Sequence, residues 1–539
     1  MNDHDLPPSP PSPAPAPTRP RPGWRLFSWK NARRLLLGAA ISGTLTALFY
    51  AEENWRGGRA WAAFRREAAA AGVELELAKL APPPVPDSQN IAKFPLFDHP
   101  FPGYKNGANG GQNADDPWES LTKHFIPQRP DGFPSTTILA TLWQTSQPDW
   151  QKERQTALDN WQQQHNFDLA AHLAAHAPEL DEIARALEER PQAVWPINYD
   201  PPHEITLPHL PILRHLASHY AWRSIHALDA GDTAAATRNL RSIFRIIQLE
   251  QNQNFLISSL TQQAVTTIAL SLILEGNARG QWTAEDHATI DAELAQINLI
   301  AVMRRAMSTQ CGGTAVGIAR TASQPHTLTT MFYPENNYEL RRSLWLLQYG
   351  PRGWILQTAA LSGHQMLTRH LPAFDAQHQR VNFALVRDID SRARDTKDTL
   401  KPWAVVAYGG IVPTGAGLLR ITAQNQSGVI LARAACRVEQ HRLRTGHYPA
   451  TLAALAPDLA TDTLHDVVTG EPIHYRPPEG EQSYVLYVTG EDGVDNGGIL
   501  LPPDAPRKSR RREPQDWVWS AGPKSAGPVA PPDPWPLAP

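Results

Sequence analysis

Seventeen consecutive uncharged residues, Leu35–Ala51 (LLLGAAISGTLTALFYA), constrain this chain more than any other feature. As a helix they would extend about 25 Å, at the short end of what crosses a bilayer. Six cations precede the run (Arg19, Arg21, Arg25, Lys30, Arg33 and Arg34), and four arginines follow it closely (Arg56, Arg59, Arg65 and Arg66). That excess on the N-terminal side predicts a cytoplasmic N-terminus, with everything beyond residue 52 across the membrane. Trp24, Phe27 and Trp29 before the run, and Phe49, Tyr50 and Trp55 after it, occupy the places of interfacial aromatics. A cleaved signal peptide fits less well. A cut after Ala51 or after Ala47 puts Phe49 or Leu45 where cleavage needs a small residue. The reading is a single-pass anchor, with Ala39 and Gly43 as a small-residue pair of the kind that packs two helices together.

The rest of the chain divides by composition. Nine of the first 22 residues are proline, so residues 1–34 form a Pro-rich cytoplasmic arm that cannot bury a core. Residues 52–136 read as a juxtamembrane helix with Trp55, Trp61 and Phe64, broken by LAPPPVPDSQN, and then a loop-rich stretch. Residues 137–424 read as helical. Leu213, Leu216, Tyr220 and Ile225 share one face, as do Ala236, Leu240, Ile243 and Ile247, with Asp232 as the cap between them. That pair resembles one tetratricopeptide-type unit, but no second copy recurs at a fixed period, so the region is an irregular helical domain. A second uncharged run at 402–419 holds four glycines and Pro413, which predict a buried connection and not a second span. Residues 521–539 form another Pro-rich tail.

Few motifs carry chemistry. A formal net charge of −3 gives no field for nucleic acid. Two cysteines, Cys311 and Cys436, cannot build a thiolate zinc site, and they read as buried thiols or as a pair in an oxidising compartment. His172/His176 and His215/His219 each fall four apart, which places two imidazoles on one helix face. Neither pair carries the glutamate of a zinc protease, and His203–Glu204 is off that spacing. These histidines read as ordinary core or surface residues, with a metal-dependent hydrolase as the alternative. No nucleophile elbow, P-loop or dinucleotide fingerprint is present.

From residue 425 the pattern changes. SGVILARAACRVEQHRLRTGHYP reads as a helix whose apolar face carries Val429, Ala432, Cys436 and Val438, stopped by Gly446 and Pro449. EPIHYRPP and QSYVLYVTG alternate as two strands, and DWVW closes the sheet as a third. Residues 425–520 are therefore α+β, a helix on a small antiparallel sheet.

Within that region Gly446, Tyr448–Pro449, Leu452, Leu455, Asp466, Thr469–Gly470, Tyr475, Tyr487, Gly490–Gly493 and Asp516 resemble the C-terminal part of type IV pilin-like proteins, the type II secretion major pseudopilin in particular. The whole chain also resembles a family of single-pass membrane-anchored bacterial proteins that brings no known activity with it. The pilin processing pattern is missing: Gly38 precedes Ala39, and no glutamate interrupts Leu35–Ala51. The resemblance thus implies a fold and not assembly into a fibre.

It also implies a metal. In major pseudopilins the loop after the corresponding strand can bind calcium. Here Glu491, Asp492, Asp495, Asn496 and Asp516 supply oxygens, and calcium takes six to eight. The other reading is a Gly-rich hairpin end, where Asp and Asn tolerate left-handed backbone. The basic run RKSRRR at 507–512 reads as a solvated loop. Together these expectations describe a mainly α chain: a transmembrane helix, an irregular helical domain and a small pseudopilin-like α+β domain. It would sit in the bacterial inner membrane with its bulk periplasmic, acting as an envelope scaffold or interaction protein and not as an enzyme. Envelope proteins are the partners this implies.

Overall fold

A computed structural model describes residues 29–98, 150–199, 205–328, 338–395, 401–407, 415–455, 464–479, 483–499 and 516–520. The two Pro-rich ends, His203–Glu204 and the basic run at 507–512 lie outside the described residues. The chain is mainly helical, with small antiparallel sheets.

Helix α1 (Trp29–Ala70) runs 42 residues without a break. The anchor expected to end at Ala51 and the juxtamembrane helix expected after it are one rod. Its first half is bare, with Leu35 67% and Leu45 62% exposed. Its second half buries Glu53, Gly57, Phe64 and Ala68 against the protein.

After α2 (Trp150–His165), α3 (Leu169–Ala175) and α4 (Ala177–Glu189), the helices α5 (His209–Asp229) and α6 (Thr233–Glu250) form a hairpin. Gly231 adopts φ +75° in the turn, and the Asp232 carboxylate accepts from Ala235 N at 2.9 Å to cap α6. The residues expected on both inner faces are buried, from Leu213 to Ile247. Helix α7 (Leu256–Arg279) is buried on nearly every side, polar Gln262, Gln263 and Thr266 included, with 72% of its most apolar window buried inside the protein. It is long and apolar enough to cross a membrane, but the fold already clads it. Trp282 folds back onto Gly276, where a Cβ would lie 2.0 Å from the indole.

Helices α8 (Ala284–Leu294), α9 (Leu299–Arg320), α10 (Tyr338–Tyr349), α11 (Arg352–Gln365) and α12 (Phe383–Asp395) follow. A two-residue pair of strands, β1 (Phe374–Asp375) and β2 (Arg380–Val381), precedes α12. Of the uncharged run at 402–419, Pro402–Val406 is a short helix with buried Pro402, Ala404 and Val406, and residues 408–414 lie outside the described residues. The run ends inside α13 (Gly415–Thr445), a 31-residue helix.

Helix α13 crosses position 425 without interruption. On one side Gln263 Nε2 donates to Thr422 Oγ1 at 3.2 Å, and Asn425 Nδ2 donates to Gln263 Oε1 at 3.1 Å, tying α13 to α7. Further along, Val429 and Cys436 share one hydrophobic core with Tyr484, Leu486 and Trp519 of the sheet. That sheet has the order β3 (His474–Arg476), β4 (Val485–Val488), β5 (Trp517–Ser520), all antiparallel. Tyr475 pairs Leu486, which pairs Trp519. Gly446, at φ +82°, ends α13 as its position before Pro449 requires.

Candidate functional site

Three places bear on function: the junction where α1 meets the body, the loop after β4, and the buried histidines.

At the junction α1 and α11 run side by side in the same direction. Two glycines set their spacing, since a Cβ on Gly57 would fall 2.2 Å from Gly353 O. Glu53 is buried and fully used. Its Oε2 accepts from Trp354 Nε1 at 2.9 Å and from Gln357 Nε2 at 3.2 Å, and its Oε1 accepts from Arg56 at 3.2 Å. Asn54 Oδ1 takes the Gly353 N–H at 2.8 Å, one of the donors the first turn of α11 leaves open. Higher up, the Phe64 ring rests on Gly363, and Glu67 meets His364 at 2.9 Å. At the lower end Tyr50 Oη donates to Tyr349 O at 3.1 Å, and Phe49 meets Trp354 edge-on with ring centres 6.0 Å apart. The apolar rod is therefore held by contacts to elements some three hundred residues away. No local sequence signal announces that contact.

In the loop, the five oxygen-bearing residues are largely spent on the loop itself. Asp492 Oδ1 accepts from Val494 N at 3.2 Å and Asp495 Oδ1 from Gly497 N at 2.8 Å. Asn496 Nδ2 donates to Val494 O at 3.1 Å. Glu491 turns to Arg420 Nε at 2.6 Å. Asp516 Oδ2 accepts from Asn496 N at 3.0 Å and from Gly498 N at 2.8 Å, which ties the loop to β5. Burial raises the Asp516 carboxyl above its ordinary value, and nearby Asp495 adds to the rise against the two backbone donors. Gly493, Gly497 and Gly498 all take positive φ, at 72°, 79° and 62°. At Gly498 a Cβ would also strike the Tyr487 ring, which stacks on His474 with centres 4.6 Å apart. Among the side-chain oxygens of these five residues, Asp516 Oδ1 is buried without a hydrogen-bond partner. Asp495 Oδ2 stands 3.6 Å from His474 Nδ1. Among the described residues, no group of three or more His, Cys, Asp or Glu side chains is placed to hold a metal.

Sequence spacing put two histidines on one face of each of two helices, and the fold turns one from each helix toward the other. His172 Nε2 lies 3.2 Å from His219 Nε2, and both residues are buried. His219 Nδ1 is 2.8 Å from the His215 carbonyl, so it carries the proton, and its Nε2 accepts from His172. His176 completes the cluster, its ring centre 4.6 Å from that of His172. Burial, with the neighbouring imidazoles, drives the His219 pKa well below its ordinary value, and burial brings His215 down to about 4. His219 and His215 are therefore uncharged at neutral pH.

A second buried pair escaped the sequence reading. His209 stacks on Trp195 with ring centres 4.1 Å apart and stands 3.9 Å from Glu250. Burial lowers His209 to about 3 and raises Glu250 to about 8. Neither is charged at pH 7, so the approach is not an ion pair. Nothing in the polar stretch IQLEQNQN (247–254) marks Glu250 as buried. Cys311 and Cys436 are free and buried, and burial pushes the Cys311 thiol up to about 12 and Cys436 well above its ordinary value. Neither supplies a thiolate.

No protein-family model, no curated protein and no solved structure matches this chain.

Proposed function

We propose that this chain is a single-pass scaffold or interaction protein of the bacterial cell envelope. In this reading α1 crosses the inner membrane, and the body stands on its periplasmic side. One observation carries the proposal: the rod is bare over Leu35–Leu48, first touches the body at Phe49 and Tyr50, and is clamped from Glu53 onward. An exposed apolar surface of that extent on a folded chain marks a membrane or a partner. Continuity of α1 through Ala47 and Ala51, with residues 52–70 packed on α11, supports an anchor over a cleaved signal. The cation excess before Leu35 supports the orientation. A role in secretion or envelope assembly rests on the pseudopilin resemblance, and the three-stranded antiparallel sheet on α13 is consistent with it. The test is alkaline extraction of membranes followed by protease protection in spheroplasts. The full chain should stay in the membrane pellet and be digested from outside. Release into the soluble fraction would remove the anchor, and protection of the body would reverse the orientation.

Two further readings each keep one observation. Calcium as a structural ligand of the loop is favoured by Asp516 Oδ1, buried and unpartnered beside Asp495. Calcium-dependent melting abolished by Asp516→Asn supports it, and melting indifferent to calcium or chelator removes it. A metal-dependent hydrolase is favoured by the 3.2 Å approach of His172 and His219, a separation two imidazoles can also adopt on one zinc ion. Stoichiometric zinc lost in His219→Ala supports it, and metal-free protein of unchanged stability removes it.

A further inference from the structure

Helix α10 carries a second surface that faces away from the body. Its inner residues Leu340, Leu344 and Leu347 are buried in a small core with Leu328, Ile355 and Val406. Its outer residues Tyr338, Arg341, Arg342, Trp345 and Tyr349 are exposed. They recur at steps of three and four, so they form one stripe along the helix. Trp345 is 58% exposed and Tyr349 61%, large aromatic surface that the described residues leave uncovered.

The position of this stripe decides its meaning. Tyr349, the last residue of α10, receives the Tyr50 hydroxyl at 3.1 Å. Tyr50 is the penultimate residue of the uncharged run, and Glu52 is the first charged residue after it. The end of α10 is thereby tied to the level at which α1 leaves an apolar phase for a polar one. Tyrosine and tryptophan concentrate at that level, because each has an apolar ring and a polar edge. Arginine forms forked hydrogen bonds with phosphate.

We infer that the outer face of α10 rests on the headgroup layer of the leaflet from which α1 emerges. Trp345 and Tyr349 enter the interface, and Arg341 and Arg342 meet the phosphates of anionic lipid. This rests on the insertion of α1 proposed above. A second contact beside the anchor fixes the body's rotation about α1 as well as its height. The occupant is lipid and not protein because the surface is continuous with the apolar rod and pairs aromatic rings with cations.

The full chain is reconstituted into nanodiscs with a polarity-sensitive fluorophore on Trp345→Cys, Leu45→Cys or Glu285→Cys in turn. Cys311 and Cys436 are buried and do not compete for label. Lipids with a nitroxide near the headgroup, which reaches position 345, or deep in the acyl chain, which reaches position 45, serve as quenchers, in discs of phosphatidylcholine with or without phosphatidylglycerol. The label at 345 should lose about half its emission or more, as an interfacial residue does, while that at 285 is unaffected. Arg341→Glu with Arg342→Glu should reduce quenching at 345 in anionic discs only. Quenching at 45 but not at 345 overturns the inference and leaves the anchor standing. A label at 345 that is shielded yet unquenched also overturns it, since protein then covers the face. No quenching at 45 overturns both.

Discussion

Glu250→Gln should abolish a loss of stability that the native protein suffers between pH 6.5 and pH 8, the window set by two buried groups. Burial raises the Glu250 carboxyl from an ordinary 4.5 to about 8. Between those values the unfolded chain has released the proton and the folded chain still holds it. The folded state then binds more protons, so stability falls as pH rises, by about 1.4 kcal/mol per pH unit. His209 acts in the opposite sense, being lowered from 6.5 to about 3. Below 6.5 the unfolded chain takes a proton that the folded chain refuses, so stability is lost as pH falls. His215 and His287, both lowered to about 4, and His219 and His370 act in the same direction as His209.

Those histidine contributions end at 6.5, where the unfolded imidazole is itself neutral. Above that pH Glu250 governs the slope among the described residues, because the thiols of Cys311, raised from 9 to about 12, and of Cys436, raised well above 9, matter only beyond pH 9. The remaining interval of about 1.5 pH units is worth about 2 kcal/mol, or roughly thirtyfold in the unfolding equilibrium. Glutamine keeps the shape of the side chain and has no proton to lose. Urea unfolding of the full chain in detergent micelles, followed by tryptophan fluorescence, measures the difference. The native chain should unfold at lower urea at pH 8 than at pH 6.5, and Glu250→Gln at the same urea at both. A native chain equally stable at both values, or a variant that keeps the fall, would refute the reasoning.

Gly57→Ala places a methyl 2.2 Å from Gly353 O and should lower stability by about 1–3 kcal/mol, whereas neighbouring Gly58→Ala meets nothing within 4 Å and should be neutral or slightly stabilising; melting temperatures of the pair decide. Asp466→Ala strips the acceptor from Val468 N, Thr469 N, and both Thr489 N and Thr489 Oγ1, and should cost about 3 kcal/mol or more, seen as early protease cutting in the sheet region. Cys311 and Cys436 should resist maleimide in the folded chain at pH 8 and react fully in denaturant; labelling of the native protein would contradict their burial.

Local signals in the sequence survived folding, and long-range ones were invisible. Asp232 capping α6 and Gly446 ending α13 depend on a few adjacent residues, and both appear as read. The alternation of Tyr484–Thr489 was enough for β4, and the WVW triplet for its partner β5. The anchor reads as ending at Ala51 because the uncharged run stops there, at Glu52 and Glu53. The helix continues because Gly57 lies against Gly353 of α11 and Glu53 is satisfied by Trp354 and Gln357. The start of α13 at Gly415 is hidden in the sequence because the four glycines and Pro413 of the 402–419 run lower helix propensity, and burial of Ala416 and Leu419 overrides it. For the histidines, spacing gave the shared face within each helix. Only tertiary packing could set His172 against His219.

Continuity of α1 has a mechanical consequence for any scaffold role. The twenty-one residues from Tyr50 to Ala70 rise about 30 Å as helix. At the far end the chain turns at Gly72, φ +71°, and is pinned to α9, where a Cβ on Gly312 would strike Glu74 O at 2.2 Å. The stem is thus fastened at Tyr50, at Glu53, at Phe64 and at Glu74, to α10, α11 and α9 in turn. A body held at so many heights cannot swing as it would on a flexible linker. If α1 is inserted, surfaces such as the loop after β4 stand at a fixed distance from the bilayer, and a partner must meet them there. Breaking the rod should therefore damage partner capture without damaging the body. Inserting a flexible Gly-Ser segment between Ala51 and Glu52 leaves the packed residues 53–70 intact. Cross-linking to neighbours in native membranes should become diffuse in that variant while its melting temperature holds. An unchanged cross-linking pattern would mean that the rigid stem has no part in what the protein does.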